Sequence, residues 1–424
     1  MRRLLAAISL LFLVAIGGRA YAGVEIVSDQ PAASLLLPYF EVNIDTPGGA
    51  DTLMSINNSS ATAILAHVVI WSDLSVPSLG FEVYLTGYDM YTLDLGNLIR
   101  HGLLPETASA GQDPTDKISP KGSFSQDINF ASCTGLLPYG SKPLTGVRLK
   151  GLQDALTGSP SANLGGLCAG VRHTDRIARG YVTVDTVNNC TLRFPGDPGY
   201  FGSGGSGDAT NQNVMWGDST YINKNTGKAF GQPLVHILAS VTDPLTSTSG
   251  NYTFYGRYDS FTAIDNRQPL STNFAARFIN PASPEGRRYF SGGTSMVVWR
   301  DSKVAQAPFT CSAGAGHPAW FPLGQEGIVI FDEQEHPQVT ASPAHLFPAE
   351  TQKVGVGAGT IPTSFDAGWM YLDLNSPTAG TFPTGDPTAE QAWVSTIYDN
   401  STYRIGERAT LLDSAVSANH IVPQ

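Results

Sequence analysis

The chain has 424 residues, 42% of them apolar and 14% charged, with 45 Gly and 28 Pro. That apolar content supports a folded core and excludes a disordered chain, and the Gly and Pro content excludes a coiled coil. The formal charge of −11, with no basic run longer than two residues, disfavours nucleic acid and anionic membrane surfaces as partners.

Residues 1–22 have the three parts of an export signal. Arg2 and Arg3 form a positive start, Leu4 to Ile16 an apolar stretch, and Ala20-Tyr21-Ala22 a small-residue cleavage site. The expected mature chain starts at Gly23 and is extracellular or periplasmic. No later stretch reaches the roughly 18 apolar residues of a membrane helix. The prolines and the fully apolar strands argue against an outer-membrane barrel.

The first elements read as strands: Leu36–Val42, Thr52–Ile56, Ala63–Trp71, Phe81–Leu85 and Tyr91–Leu95. The run Ala63–Trp71 is apolar throughout, which predicts a central strand covered on both faces. Residues 106–177 lose this pattern and read as an insertion rich in Pro, Gly and Ser. It carries one short helix within Pro143–Thr157, stopped by Gly158-Ser159-Pro160. Strands resume at Gly180–Asp185, Val214–Trp216, Leu234–Leu238 and Tyr252–Tyr255. They continue at Ala275–Ile279, Ser295–Trp299, Gly327–Phe331, Gly368–Leu374 and Gln391–Tyr398.

Four segments recur in the same order. Tyr39–Asn43 matches Ala276–Asn280, Gly48–Ile56 matches Gly292–Trp299, Ala66–Trp71 matches Gly327–Phe331, and Gly180–Asp185 matches Gly368–Asp373. The expected fold is all-β, with two immunoglobulin-like β-sandwich domains, 23–265 and 266–424, the first interrupted by the insertion 106–177. Leu36–Asp94 and Ala275–Asp332 resemble stretches of uncharacterised secreted bacterial β-rich proteins. The resemblance implies an exported β-protein and carries no activity with it.

Cys133, Cys168, Cys190 and Cys311 form an even set, which in an oxidising compartment implies two disulfides. The loop-rich insertion needs a staple, so Cys133–Cys168 with Cys190–Cys311 is the expected pairing. A zinc site lacks any C-x2-C pair to support it.

Candidate chemistry is sparse. Asp208, Asn211 and Asn213, followed by Asp218, form an oxygen-rich stretch beside the loop Gly202–Gly207 and are the first candidates for calcium. Asp332 and Glu333 are the second, in Asp332-Glu333-Gln334-Glu335-His336, where alternation on a strand would put Glu333 and Glu335 on one face, with His345 nearby. Trp320, in a loop, is a candidate for stacking on a ligand. His67 and His236 lie inside apolar runs and read as hydrogen-bonded core histidines. There is no G-x-S-x-G elbow, no S-x-x-K, no H-E-x-x-H and no complete phosphate loop.

The expectation is therefore an exported binding or structural protein of the cell exterior, its partner a cell-surface protein or a glycan. The alternative is a secreted hydrolase acting on glycans through paired carboxylates. Any ligand site is expected in the loops of 106–177, 196–218 or 312–345.

Overall fold

The structure is a computed structural model. It describes residues 30–104, 144–239, 253–258, 264–302, 304–311, 318, 321–325, 327–339, 346–357, 361–374 and 391–412. Residues 1–22, Cys133, Trp320 and His345 lie outside these.

The protein is all-β. Ten strands belong to the first half: β1 (Ser34–Asn43), β2 (Ala50–Asn58), β3 (Ile64–Ser72), β4 (Pro77–Leu85), β5 (Met90–Asp94), β6 (Ile177–Val187), β7 (Met215–Trp216), β8 (Asp218–Asn223), β9 (Lys228–Pro233) and β10 (Val235–Ile237). Nine belong to the second: β11 (Asn273–Ile279), β12 (Gly293–Arg300), β13 (Gly327–Asp332), β14 (Pro337–Val339), β15 (Thr351–Gly355), β16 (Ala367–Asp373), β17 (Ala392–Asp399), β18 (Arg404–Arg408) and β19 (Thr410–Leu412). The helices are α1 (Leu95–His101), α2 (Gly146–Leu156) and α3 (Pro284–Tyr289).

Both halves have the same strand order. In the first half the sheets run β10-β1-β6-β3-β4 and β5-β2-β8-β9; in the second they run β19-β11-β16-β13-β14 and β15-β12-β17-β18. The pairings within all four sheets are antiparallel. The segments matched in the sequence fall on equivalent strands, β1 with β11, β2 with β12, β3 with β13 and β6 with β16. Pairing register moves the first match by one residue. Phe40 lies opposite Gly180 and Phe278 opposite Gly368, so Phe40 corresponds to Phe278.

Three apolar clusters explain why the central strands are apolar on both faces. Ala66, Val68 and Ile70 of β3 point into the core between the two sheets of the first half, with Met54, Ile56 and Tyr221. Phe274, Ile328 and Leu372 meet Met296, Val298 and Val394 in the second half. The opposite face of β3 presents Val69 and Trp71, which join Tyr181, Trp299 and Trp393 in an aromatic layer between the halves. Trp71 stacks on Tyr181 with ring centroids 5.6 Å apart, and its indole N–H donates to Thr183 Oγ1 at 2.8 Å. The central strand β3 is thus packed on both faces.

The expected helix in the insertion is α2. Helix α1 was not expected; Asp94 caps it by accepting from Asn97 N, and Gly102 closes it at φ 70°, where a Cβ would sit 2.1 Å from Leu144 O. Strands β8 and β9 were also not expected, because their sequences are polar; they exist as partners of β2. Phe254 and Tyr255, expected to end the strand Tyr252–Tyr255, lie instead in a turn that runs to residue 258.

The expected disulfide pairing is corrected. Cys168 is bonded to Cys311, with Cα atoms 5.1 Å apart. The backbones of Cys168 and Phe309 form an antiparallel bridge that brings the two cysteines together. Cys190 is also disulfide-bonded. The staple therefore ties the insertion to the second half rather than to itself.

Candidate functional site

The first-choice calcium residues have partners of their own. Asp208 is buried and accepts from Thr191 Oγ1 at 2.6 Å and from Arg193 at 3.0 Å. Asp218 opens β8 and accepts from Ser55 Oγ at 2.9 Å. Asp332 ends β13, and the residues after it turn instead of continuing the strand. Glu335 has φ 66°, so Glu333 and Glu335 do not share a strand face, contrary to the expectation. The carboxylate of Asp332 accepts from the backbone of Gln334 and His336, and the His336 ring lies 2.8 Å from it. Among the described residues no three His, Cys, Asp or Glu side chains are grouped as metal ligands.

Two buried ionic networks join the halves. Asp185 accepts from Ser34 Oγ, from Tyr200 OH at 2.7 Å, from Tyr255 OH at 2.9 Å and from Arg267 Nε at 3.1 Å. Burial, reinforced by Asp185, holds both tyrosine hydroxyls well above their ordinary range. In the second network Arg257 meets Glu350 at 2.8 Å and Asp301 at 3.1 Å. One guanidinium faces two carboxyl groups here. Burial first, then repulsion from Asp301, pushes Glu350 up to about 7 against the attraction of Arg257. These groups fasten one half to the other.

His67 is different. It lies on the same outer face of β3 as Val69 and Trp71, directly opposite Glu82 of β4. Its Nδ1 is 3.0 Å from Glu82 Oε1, and the same oxygen accepts from the backbone N–H of Thr191 at 2.9 Å. As a carboxylate, Glu82 offers lone pairs on Oε1 to both the Thr191 N–H and a His67 N–H. Oε1 therefore accepts from His67 as well, and Nδ1 carries the proton. In the neutral imidazole this puts the lone pair on Nε2.

Among the described residues that nitrogen has no hydrogen-bond partner, and His67 is only 1% exposed. The second oxygen of Glu82 is likewise unpartnered. His236, by contrast, uses both ring nitrogens. Nδ1 meets Gln30 O at 2.9 Å and Nε2 accepts from Gly217 N at 3.4 Å. Several other buried side-chain atoms among the described residues stand alike, but His67 Nε2 is the one that belongs to a side chain lining a cavity.

His67 lines a cavity of about 430 Å³. The β3–β4 pair supplies His67, Ser78, Leu79 and Gly80; Leu144 and α2 supply an opposing wall with Leu152 and Arg148; Leu192 and Phe194 come from the loop after β6. Gly80 makes the floor possible. A Cβ there would stand 3.4 Å from His67 Nε2 and 3.1 Å from the Phe194 ring. Of the other polar lining groups, Ser78 Oγ donates to Val76 O and Asn163 Nδ2 donates to Arg148 O. The lining therefore mixes four leucines and a phenylalanine with imidazole, hydroxyl, guanidinium and amide groups.

No family model, curated protein or solved structure matches this chain.

The sequence reading had His67 as a core histidine. It is buried and hydrogen-bonded, as expected, but only one of its nitrogens is satisfied. The cavity lies on a sheet face walled by the insertion and a loop, not in loops alone. A histidine in an otherwise apolar strand, with a Glu in the next strand and a Gly two residues before it, was the available signal.

Proposed function

We propose that this chain is an exported binding protein that holds a small, mainly apolar molecule in the cavity between the β3–β4 pair and α2. The observation that carries this reading is the buried, unpartnered Nε2 of His67 at the floor of a leucine- and phenylalanine-walled cavity. The volume falls in the range of small-molecule sites, and a few polar groups among apolar walls are their usual lining. The tripartite N-terminus and the disulfide-bonded cysteines support export. Two antiparallel sheets in each half support the immunoglobulin-like sandwich reading of the two units.

A cavity of this size narrows the expected partner from a cell-surface protein or glycan to a small molecule. The glycan-hydrolase alternative needs two carboxyl groups facing one space. The described lining contains imidazole, hydroxyl, guanidinium and amide groups and no carboxylate, so the cavity lends that alternative no support.

Ligand-observed NMR with a library of small aromatic and aliphatic compounds tests the reading. Compounds should bind the native protein and be lost in Gly80→Val, which fills the floor, and in Asn163→Trp, which blocks an exposed part of the lining. Thermal melts confirm that both variants fold. Compounds that bind both folded variants as well as the native protein would place the site elsewhere.

A further inference from the structure

We infer that the molecule held here carries a hydroxyl group that donates to His67 Nε2, so that the ligand class is a small phenol or apolar alcohol. The inference rests on the cavity being a ligand site and specifies its chemistry.

The argument starts from the proton on Nδ1. Because Glu82 Oε1 accepts from both Thr191 N and His67, the imidazole cannot easily turn over or exchange tautomers. Glu82 holds Nδ1 by its proton and leaves Nε2 as the acceptor of the neutral ring, buried beside Gly80 and the Phe194 ring, so that a hydroxyl reaches it when the Phe194 ring moves aside. A ligand carboxylate or carbonyl brings only lone pairs to that position. A hydrocarbon brings nothing and leaves a buried nitrogen unsatisfied. A hydroxyl supplies the missing donor, and its own oxygen keeps acceptor capacity for the rest of the lining.

The surroundings favour a flat or compact apolar body behind that hydroxyl. Leu79, Leu144, Leu152 and Leu192 form apolar surface, and the Phe194 ring leans over Gly80 beside Nε2. A Cβ at position 80 would crowd this approach, standing 3.1 Å from the Phe194 ring and 3.2 Å from His67 Cε1. Phe194 belongs to an irregular loop, so its ring can shift without disturbing a sheet.

The second half supplies a control within the same molecule. There the strand position equivalent to His67 is Gly327, since His67 pairs with Asp185 and Gly327 with Asp373 on equivalent strands. The shared sandwich does not need a histidine at this place.

Titration calorimetry at pH 8 with p-cresol, toluene and benzoate tests the inference. Cresol and toluene have nearly the same apolar body, so the hydroxyl accounts for the difference. Cresol should bind roughly ten- to hundredfold more tightly than toluene, the effect of leaving a buried acceptor unsatisfied. In His67→Phe that preference should disappear. A second measurement needs no variant: the ¹⁵N resonance of His67 Nε2 should move on adding cresol and stay in place with toluene. Equal affinity for cresol and toluene, tighter binding of benzoate, or an unmoved Nε2 resonance in the cresol-bound protein would overturn the hydroxyl inference while leaving the cavity as a binding site. Absence of binding by all three probes at millimolar concentration would overturn both.

Discussion

Gly327 occupies in the second half the place that His67 occupies in the first. Each lies opposite an aspartate on the next strand, Asp373 and Asp185. Two units of one topology therefore differ at this position by an entire imidazole. The histidine is an addition to the scaffold, and the Glu82 carboxylate that orients it comes from the adjacent strand of the same sheet.

The His67–Glu82 contact should be energetically visible. Glu82→Ala removes the acceptor used by both His67 Nδ1 and Thr191 N, and leaves two buried donors unsatisfied. Urea unfolding should show a loss of about 2–4 kcal/mol. Glu82→Gln keeps a carbonyl oxygen at the same place and should cost clearly less. Equal losses for the two variants would mean that the oxygen has no such role.

Stability should respond to pH through Glu350. Its folded value of about 7 lies above the ordinary 4.5. Below about 4.5 both folded and unfolded chains hold the proton. Between about 4.5 and 7 the folded protein keeps a proton that the unfolded chain releases, so stability falls as pH rises through this window and levels off above it. The size is on the order of 3 kcal/mol. Glu350→Gln should remove this component, so the stability difference between the native protein and the variant should change across pH 4.5–7. A constant difference would refute it.

Arg267 should be among the least replaceable residues. It is buried between Asp185 at 3.1 Å and Asp265 at 3.3 Å. Arg267→Met leaves two buried carboxylates without their cation and should cost about 3–5 kcal/mol in chemical denaturation. Adding Asp185→Asn should recover part of that loss, because the amide carries no charge and can still meet Ser34, Tyr200 and Tyr255. No recovery in the double variant would show that the arginine acts through packing alone.

Non-reducing peptide mapping should find Cys168 linked to Cys311. The link closes a loop of 143 residues, for which chain entropy gives about 5 kcal/mol before any strain. Cys168→Ser should therefore lower the melting temperature by a large step. The same map should show no free thiol at Cys190. Recovery of a Cys133–Cys168 peptide would contradict the fold described above.

How much of this was legible beforehand varies by element. Strands with period-two apolar patterning and turn-forming ends were readable, because alternation and turn chemistry are local properties. The repeat was readable because equivalent strands keep similar residues in the same order. The insertion helix was readable from its spacing and its stop. Strands β8 and β9 were not, since DSTYIN and KAFGQP carry weak patterns and become strands by pairing with β2 and with each other.

The site itself depended on distance in space. His67 and Glu82 are 15 residues apart, and only the antiparallel register of β3 and β4 sets them face to face. Cys168 chooses Cys311 over a nearer cysteine because the bridge to Phe309 brings that backbone alongside. The apolar walls of the cavity come from a strand pair, the insertion and a loop widely separated along the chain. The sequence by itself determined the β-character, most of the central strands and the doubled plan. Tertiary structure alone decided which polar atoms are satisfied, and so which of two buried histidines lines a cavity with one nitrogen left without a partner among the described residues. Hydrogen-bond satisfaction is a sum over neighbours from the whole chain, and no local stretch contains it.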